Sequence, residues 1–175
     1  MTTKPLSLFA VAALLLLSIT SANAEKFTVE AAIPWEGKGR IFQINSTTVQ
    51  FLGVLEGIMY VENSKGEMHE GFVQCPIVQL LEIETGNSEA TGNCEITAGP
   101  NDVLYAKMSC KGRVGDCAGK IVLVEGEGKF TGISGEGDLR VRSPLRALAG
   151  SLGSGDAVRI ASGLATIRNM EVTKP

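Results

Sequence analysis

The sequence predicts an all-β domain folded as a single antiparallel β-barrel, and three observations carry that expectation. Apolar and polar residues alternate with a period of two through most of the chain after residue 24, the pattern of strands that bury one face. All 21 glycines fall after that residue as well, about twice their ordinary frequency, which disfavours long helices. Turn-forming clusters recur between the alternating stretches at the short spacing of a meander.

Residues 1–24 stand apart from this pattern. Lys4 opens a short basic start, residues 6–19 form an apolar run, and Ala22-Asn23-Ala24 precedes Glu25. That arrangement predicts a cleavable secretory signal. The run is 14 residues long, short of the roughly 20 that a spanning helix needs. No Cys follows the cleavage point, so no lipid anchor is expected. The expectation is therefore a leader at 1–24 and one barrel domain at 25–175, exported to a periplasmic or extracellular compartment without stable membrane insertion. Lys4 is the only charged residue of the leader, leaving 15 basic and 19 acidic side chains, a net charge of −4. A surface of that sign argues against nucleic acid as a partner.

Taken in order, a first strand is expected from residue 27 to 33 or 35. In residues 49–61 the apolar row is Val49, Phe51, Gly53, Leu55, Gly57, Met59 and Val61, opposite Gln50, Glu56 and Tyr60. In residues 73–83 the odd row again faces inward, with Val73, Cys75, Ile77, Gln79, Leu81 and Ile83. Thr85-Gly86-Asn87-Ser88 makes a turn, after which Gly92, Cys94 and Ile96 oppose Asn93, Glu95 and Thr97. Gly99-Pro100-Asn101-Asp102 makes the next turn. Leu104, Ala106, Met108 and Cys110 then form an even-numbered inner row, followed by Cys117, Gly119, Ile121 and Leu123, and by Leu139 and Val141. Residues 143–156 read as a loop with at most one helical turn opened by Pro144. Residues 158–172 supply a last strand. Seven to nine strands of this kind close most economically into a soluble barrel, calycin-like or similar, since closure removes exposed edges. A membrane barrel would need lipid-facing apolar rows and a polar interior, the reverse of this pattern.

The four cysteines, Cys75, Cys94, Cys110 and Cys117, all lie on inward rows. An even number in an exported chain reads as two disulfides. Zinc would need closer pairs than these gaps of 18, 15 and 6 residues. Cys110 and Cys117 frame a glycine-bearing loop and are expected to face each other across a hairpin, which pairs Cys75 with Cys94; four cysteines nonetheless allow three pairings.

The segment Gly126-Glu127-Gly128-Lys129-Phe130-Thr131-Gly132-Ile133-Ser134-Gly135 resembles a G-x-G-x-F-x-G-I-x-G signature of exported bacterial barrels whose fold is similar to that of the plant allene oxide cyclase and dirigent proteins. The likeness covers residues 110–141, a quarter or less of the chain. It implies a fold and an apolar cavity, and carries over no functional residue. Read physically, Gly126 and Gly128 are expected to allow a tight turn with positive φ, Phe130 to plug a barrel end, and Gly132 and Gly135 to permit bends or bulges.

Motifs for chemistry are few. The 126–132 glycines miss the G-x-G-x-x-G spacing, and Phe130 stands where a phosphate loop needs Ser or Thr. Ser134 misses the G-x-S-x-G elbow by one residue. The single His, His69, sits in a charged segment read as a solvated loop between strands. Glu56 lies mid-strand, where burial would raise its pKa and suit it to acid or base work, but parity puts it on the outer row with Gln50 and Glu62. Only Glu125 follows an inward row, at its strand's end. Asn45-Ser46-Thr47 fits a glycosylation sequon, relevant only in a eukaryotic secretory route. Aromatics make up 5% of the chain, too few for aromatic sugar platforms. The expectation is thus no catalytic residue, no metal and no cofactor, and a small apolar ligand lodged in the interior near Phe51, Leu55, Met59 and Met108. Gly53 and Gly57 on the inner row would leave it space. An isomerase or cyclase of the allene oxide cyclase type is the alternative, and needs an inward polar group. An envelope or assembly component is a third reading, and needs an exposed apolar patch.

Overall fold

The computed structural model describes residues 24–144 and 159–175; the expected leader, and most of the loop expected at 143–156, lie outside them. The described residues form eight strands: β1 (Glu25–Gln43), β2 (Thr48–Asn63), β3 (Met68–Glu82), β4 (Asn87–Gly99), β5 (Asp102–Arg113), β6 (Asp116–Gly126), β7 (Ser134–Arg142) and β8 (Arg159–Lys174). Each pairs antiparallel with its neighbours in sequence, and β1 pairs with β8 to close the barrel. Because consecutive strands alternate in direction, the β1–β2, β3–β4 and β5–β6 connections lie at one end, with the last residues of β7 and the first of β8. The other end holds the β2–β3, β4–β5 and β6–β7 connections, together with Glu25 and Lys174, which are register partners.

The inner rows follow the alternation in the sequence. Met59, Ile77, Met108, Ile121, Leu123 and Leu139 are buried, with Phe51 and Leu55 packed against them. All four cysteines are buried and paired as Cys75–Cys94 and Cys110–Cys117. Residues 75 and 94 lie on adjacent strands with Cα atoms 4.1 Å apart. The second pair differs from the expected facing arrangement. Cys110 is opposite Gly119 and Cys117 opposite Gly112, so the bond runs diagonally. The turn centres on Val114-Gly115, one residue beyond the symmetric midpoint, because Gly115 supplies the positive φ (84°).

Several expectations are corrected. β1 runs eight residues past Trp35, with Gly37 and Gly39 at inward positions that must be small; Ile83, expected on the inner row, lies beyond the end of β3 and is exposed. Gly39 and Gly53 are register partners, and a Cβ on either would sit within 2.6 Å of the Phe51 ring or nearby backbone. Gly53 therefore leaves room for Phe51 rather than for a ligand, and a Cβ on Gly57 would collide with the Pro34 carbonyl. His69 lies within β3, exposed and opposite Val61. Glu125 does not point inward: one extra residue, Val124, breaks the β5–β6 register, pairing Tyr105 with Glu125 and Ala106 with Leu123, and Glu125 turns to solvent. In the 126–135 segment, positive φ falls at Gly128 (63°) and Gly132 (76°) and not at Gly126. The irregularity in β7 lies between Glu136 and Asp138, beyond Gly135. Phe130 is half-buried against the core at the end that carries the termini.

Candidate functional site

Large side chains fill the barrel unevenly, and the space they leave lies at the end opposite the termini. A cavity of about 130 Å³ opens there. Trp35, Leu55 and Met108 also border a second, smaller cavity of about 40 Å³, so they divide the two. Phe51, Ile77 and Leu81 contribute apolar walls, and Ala90 and Ala161 leave space where longer side chains would close it. Of the four residues expected to meet a ligand, Phe51, Leu55 and Met108 line this cavity. Met59 is buried elsewhere in the core, beside Gly71 in register.

A collar of backbone hydrogen bonds holds the mouth. Ile83 N donates to Thr47 O (2.8 Å), Val114 N to Gly86 O (2.9 Å), and Ser143 N to Gly115 O (2.9 Å). Arg113 Nη2 adds a bond to Thr85 O (2.8 Å). Four connections that sequence separates are thereby tied into one rim. Arg113, Asp116 and Ser143 bring polar atoms to that rim. The Asp116 carboxylate is committed to Arg140, taking Nε at 2.8 Å and Nη2 at 2.6 Å. Those hydrogen bonds first, and then the charges of Arg140 and Arg142, hold its pKa below the usual carboxylate range.

One polar pair reaches farther in. Gln79 lines the cavity, and its Nε2 donates to Ser88 Oγ at 2.6 Å. Ser88 is the buried polar side chain of the described core, 5% exposed. Gln79 belongs to the expected odd inner row; Ser88, expected in a turn, lies in β4 instead, and the signal that could have placed it is its shared parity with Gly92 and Cys94. What sequence could not supply was their contact across β3 and β4. Amide and hydroxyl groups hydrogen-bond but do not ionise near neutral pH. Trp35 is the other missed residue. It is 8% exposed, and its indole N–H has no hydrogen-bond partner among the described residues.

Glu56 borders the smaller cavity, yet its carboxylate faces outward, where Oε1 accepts a hydrogen bond from Gln74 Nε2 at 2.7 Å. Among the described residues, no group of three His, Cys, Asp or Glu side chains converges to hold a metal ion. The arrangement is an apolar chamber with one amide–hydroxyl pair in its wall and charged groups confined to its rim. Compared with known proteins, the chain matches no family model and no curated sequence.

Proposed function

We propose that this protein binds a small apolar molecule reversibly in the barrel interior, without transforming it, in an exported, oxidising compartment, periplasmic or extracellular. The observation that carries this reading is the composition of the chamber: apolar side chains line it, and its one inner polar pair is uncharged. Such a site gains affinity from burial and orients its guest by one or two hydrogen bonds, while offering no general acid or base. Volume narrows the class. An apolar cavity of ~150 Å³ accommodates benzene, so a chamber of about 130 Å³ suits a single ring or a short branched chain carrying at most one polar group. Two disulfides fit the oxidising compartment toward which the leader points. The closed barrel also supports placing the chain beside the allene oxide cyclase-like barrels, a placement that brings no reaction with it.

The test uses the chain's single Trp as its reporter, because Trp35 borders the cavity. Benzene, toluene, phenol and short branched alcohols are titrated against Trp35 fluorescence and thermal melting. A saturating spectral change is expected, and ligand at ten times its Kd adds about 1.4 kcal/mol, or about 3 to 6 °C in Tm for a domain of this size. Ala161→Leu, which fills the chamber, abolishes both responses. Signals that never saturate, or that survive Ala161→Leu, overturn the binding reading. Turnover of a fatty-acid-derived epoxide by the parent, lost in Glu56→Gln with the fold intact, replaces it with the cyclase alternative.

A further inference from the structure

One buried donor in the barrel has nothing to bind. Trp35 belongs to the core and borders both the chamber of about 130 Å³ and the smaller cavity of about 40 Å³. Its Nε1 is closed off from solvent and has no acceptor among the described residues. The register supplies a reason. Trp35 pairs with Gly57 on β2 and with Gly163 on β8, so neither neighbouring strand brings a side chain to that level. A Cβ on Gly163 would lie 2.7 Å from Cζ2 of the indole, and one on Gly37 3.4 Å from Cζ3, which places the ring across bare backbone. Apolar atoms alone face the smaller cavity, so a water there would lack the two to four polar partners that hold one in place. A buried Trp ordinarily finds an acceptor for its N–H. A phenyl ring would fill the divide between the cavities with no polar atom to satisfy.

We propose that the guest supplies the acceptor: the molecule held in the chamber carries an uncharged oxygen, as in a ketone, ester or ether, that takes a hydrogen bond from Trp35 Nε1. This rests on the binding reading above and narrows its ligand class. An indole donates and cannot accept, which fixes the sign of its complement. Gln79 and Ser88 already satisfy each other at 2.6 Å, so the indole is the inner donor in want of a partner. A carboxylate suits the position poorly, because the chamber's charged residues stand at its rim and a buried, unpaired charge costs more than one hydrogen bond returns. Space on both sides of the ring lets the indole turn far enough to present its N–H to the chamber. The bond made there removes the penalty of a buried, unpaired donor. A guest of the same shape without an acceptor leaves that penalty in place, so the site selects by chemistry as well as by size.

The experiment uses the chain's single Trp, whose indole N–H gives one cross-peak in a proton–nitrogen correlation spectrum. Cyclopentanone and methylenecyclopentane, alike in shape and differing by a carbonyl oxygen in place of a methylene group, are titrated into the mature protein, with thermal melting reporting whether each binds. Cyclopentanone is expected to move the indole proton downfield to a plateau, and methylenecyclopentane to leave it in place. Trp35→Phe is expected to weaken cyclopentanone at least about fivefold more than methylenecyclopentane; should that variant not fold, the shift in the parent decides. Saturation by the ketone with no downfield shift, a proton that moves alike for both compounds, equal losses in Trp35→Phe, or binding of methylenecyclopentane alone each overturns the proposal and leaves the binding reading standing. No response to either compound overturns both.

Discussion

At the scale of single residues, the hydrogen bond from Gln79 to Ser88 in the chamber wall has a measurable worth. Parity places Gln79 inward, whereas Ser88 is expected in a turn; β4 begins at Asn87, and its pairing with β3 brings Gln79 Nε2 to 2.6 Å from the serine hydroxyl. A buried group left without its partner costs about 1 to 3 kcal/mol. Gln79→Leu is therefore expected to destabilise by that amount, and Gln79→Leu with Ser88→Ala by less than the single change. Urea unfolding checks both, and an additive double mutant would show the pair to be uncoupled. The glycines teach the same lesson. Gly126 and Gly128 are expected to take positive φ and Gly132 and Gly135 to permit bends, yet of the four it is Gly128 and Gly132 that take positive φ. Their neighbours decide which, and those neighbours are far away in sequence. At Gly132 a Cβ would also meet the Pro175 ring at 2.6 Å. Gly132→Val is expected to cost about 1 to 3 kcal/mol from backbone strain, read as a Tm lower by roughly 2 to 10 °C, while ligand-dependent Trp35 fluorescence persists in the folded fraction. An unchanged Tm with lost binding would instead make this turn part of the site.

Strands were legible where alternation was unbroken, and misread where a bulge or an inward glycine interrupted it. The expected first strand stops at Trp35, eight residues short of the end of β1, and Glu125 falls on the wrong face because Val124 is an extra residue that no spacing rule announces. The disulfides were legible because all four cysteines share the inner face. Their separations, 19 for Cys75–Cys94 and 7 for Cys110–Cys117, rank their effects. Chain-entropy estimates give about 3.3 and about 2.5 kcal/mol, so replacing the first pair by alanine is expected to lower the urea midpoint more than replacing the second. Charge ladders tie the outer faces of β6, β7 and β8. Asp138 accepts from Asn169 and pairs with Lys120, and Asp116 is held by Arg140. The hydrogen bond from Asn169 and then that from Lys120 lower the Asp138 pKa, while Asp138 first and Glu136 second raise that of Lys120. A carboxylate whose pKa folding depresses stabilises above its ordinary range and loses that contribution as pH falls through the folded value. The lysine's contribution is complete below its ordinary pKa and fades as pH rises through the raised one. Melting scans should therefore decline below about pH 4 and again above about pH 10. Asp138→Asn is expected to flatten both limbs slightly, and added salt to mask the difference, since these groups are at the surface.

At the scale of the whole molecule, the barrel followed from repeated one-sided strands and the need to hide edges. Its chamber did not, because a cavity is what remains after Phe51, Leu55, Trp35 and Met108 settle against one another. The collar that frames its mouth was equally invisible, being made of backbone groups from four separate connections. The pairing of β1 with β8 has a further implication. Each strand touches the strands before and after it, and the last touches the first, so the fold is a cycle in which no strand has a privileged position. Glu25 and Lys174 are register partners, and a linker of a few Ser and Gly residues spans the distance between paired strands. A circular permutant joined there and reopened at Gly66, an exposed turn with positive φ and no neighbour a Cβ would meet, keeps every strand pair and loses only the covalent link between β2 and β3. It is expected to form both disulfides and to retain the Trp35 response, with somewhat lower stability from the added chain end. Chain order would then be a matter of synthesis, and the chamber a property of the ring.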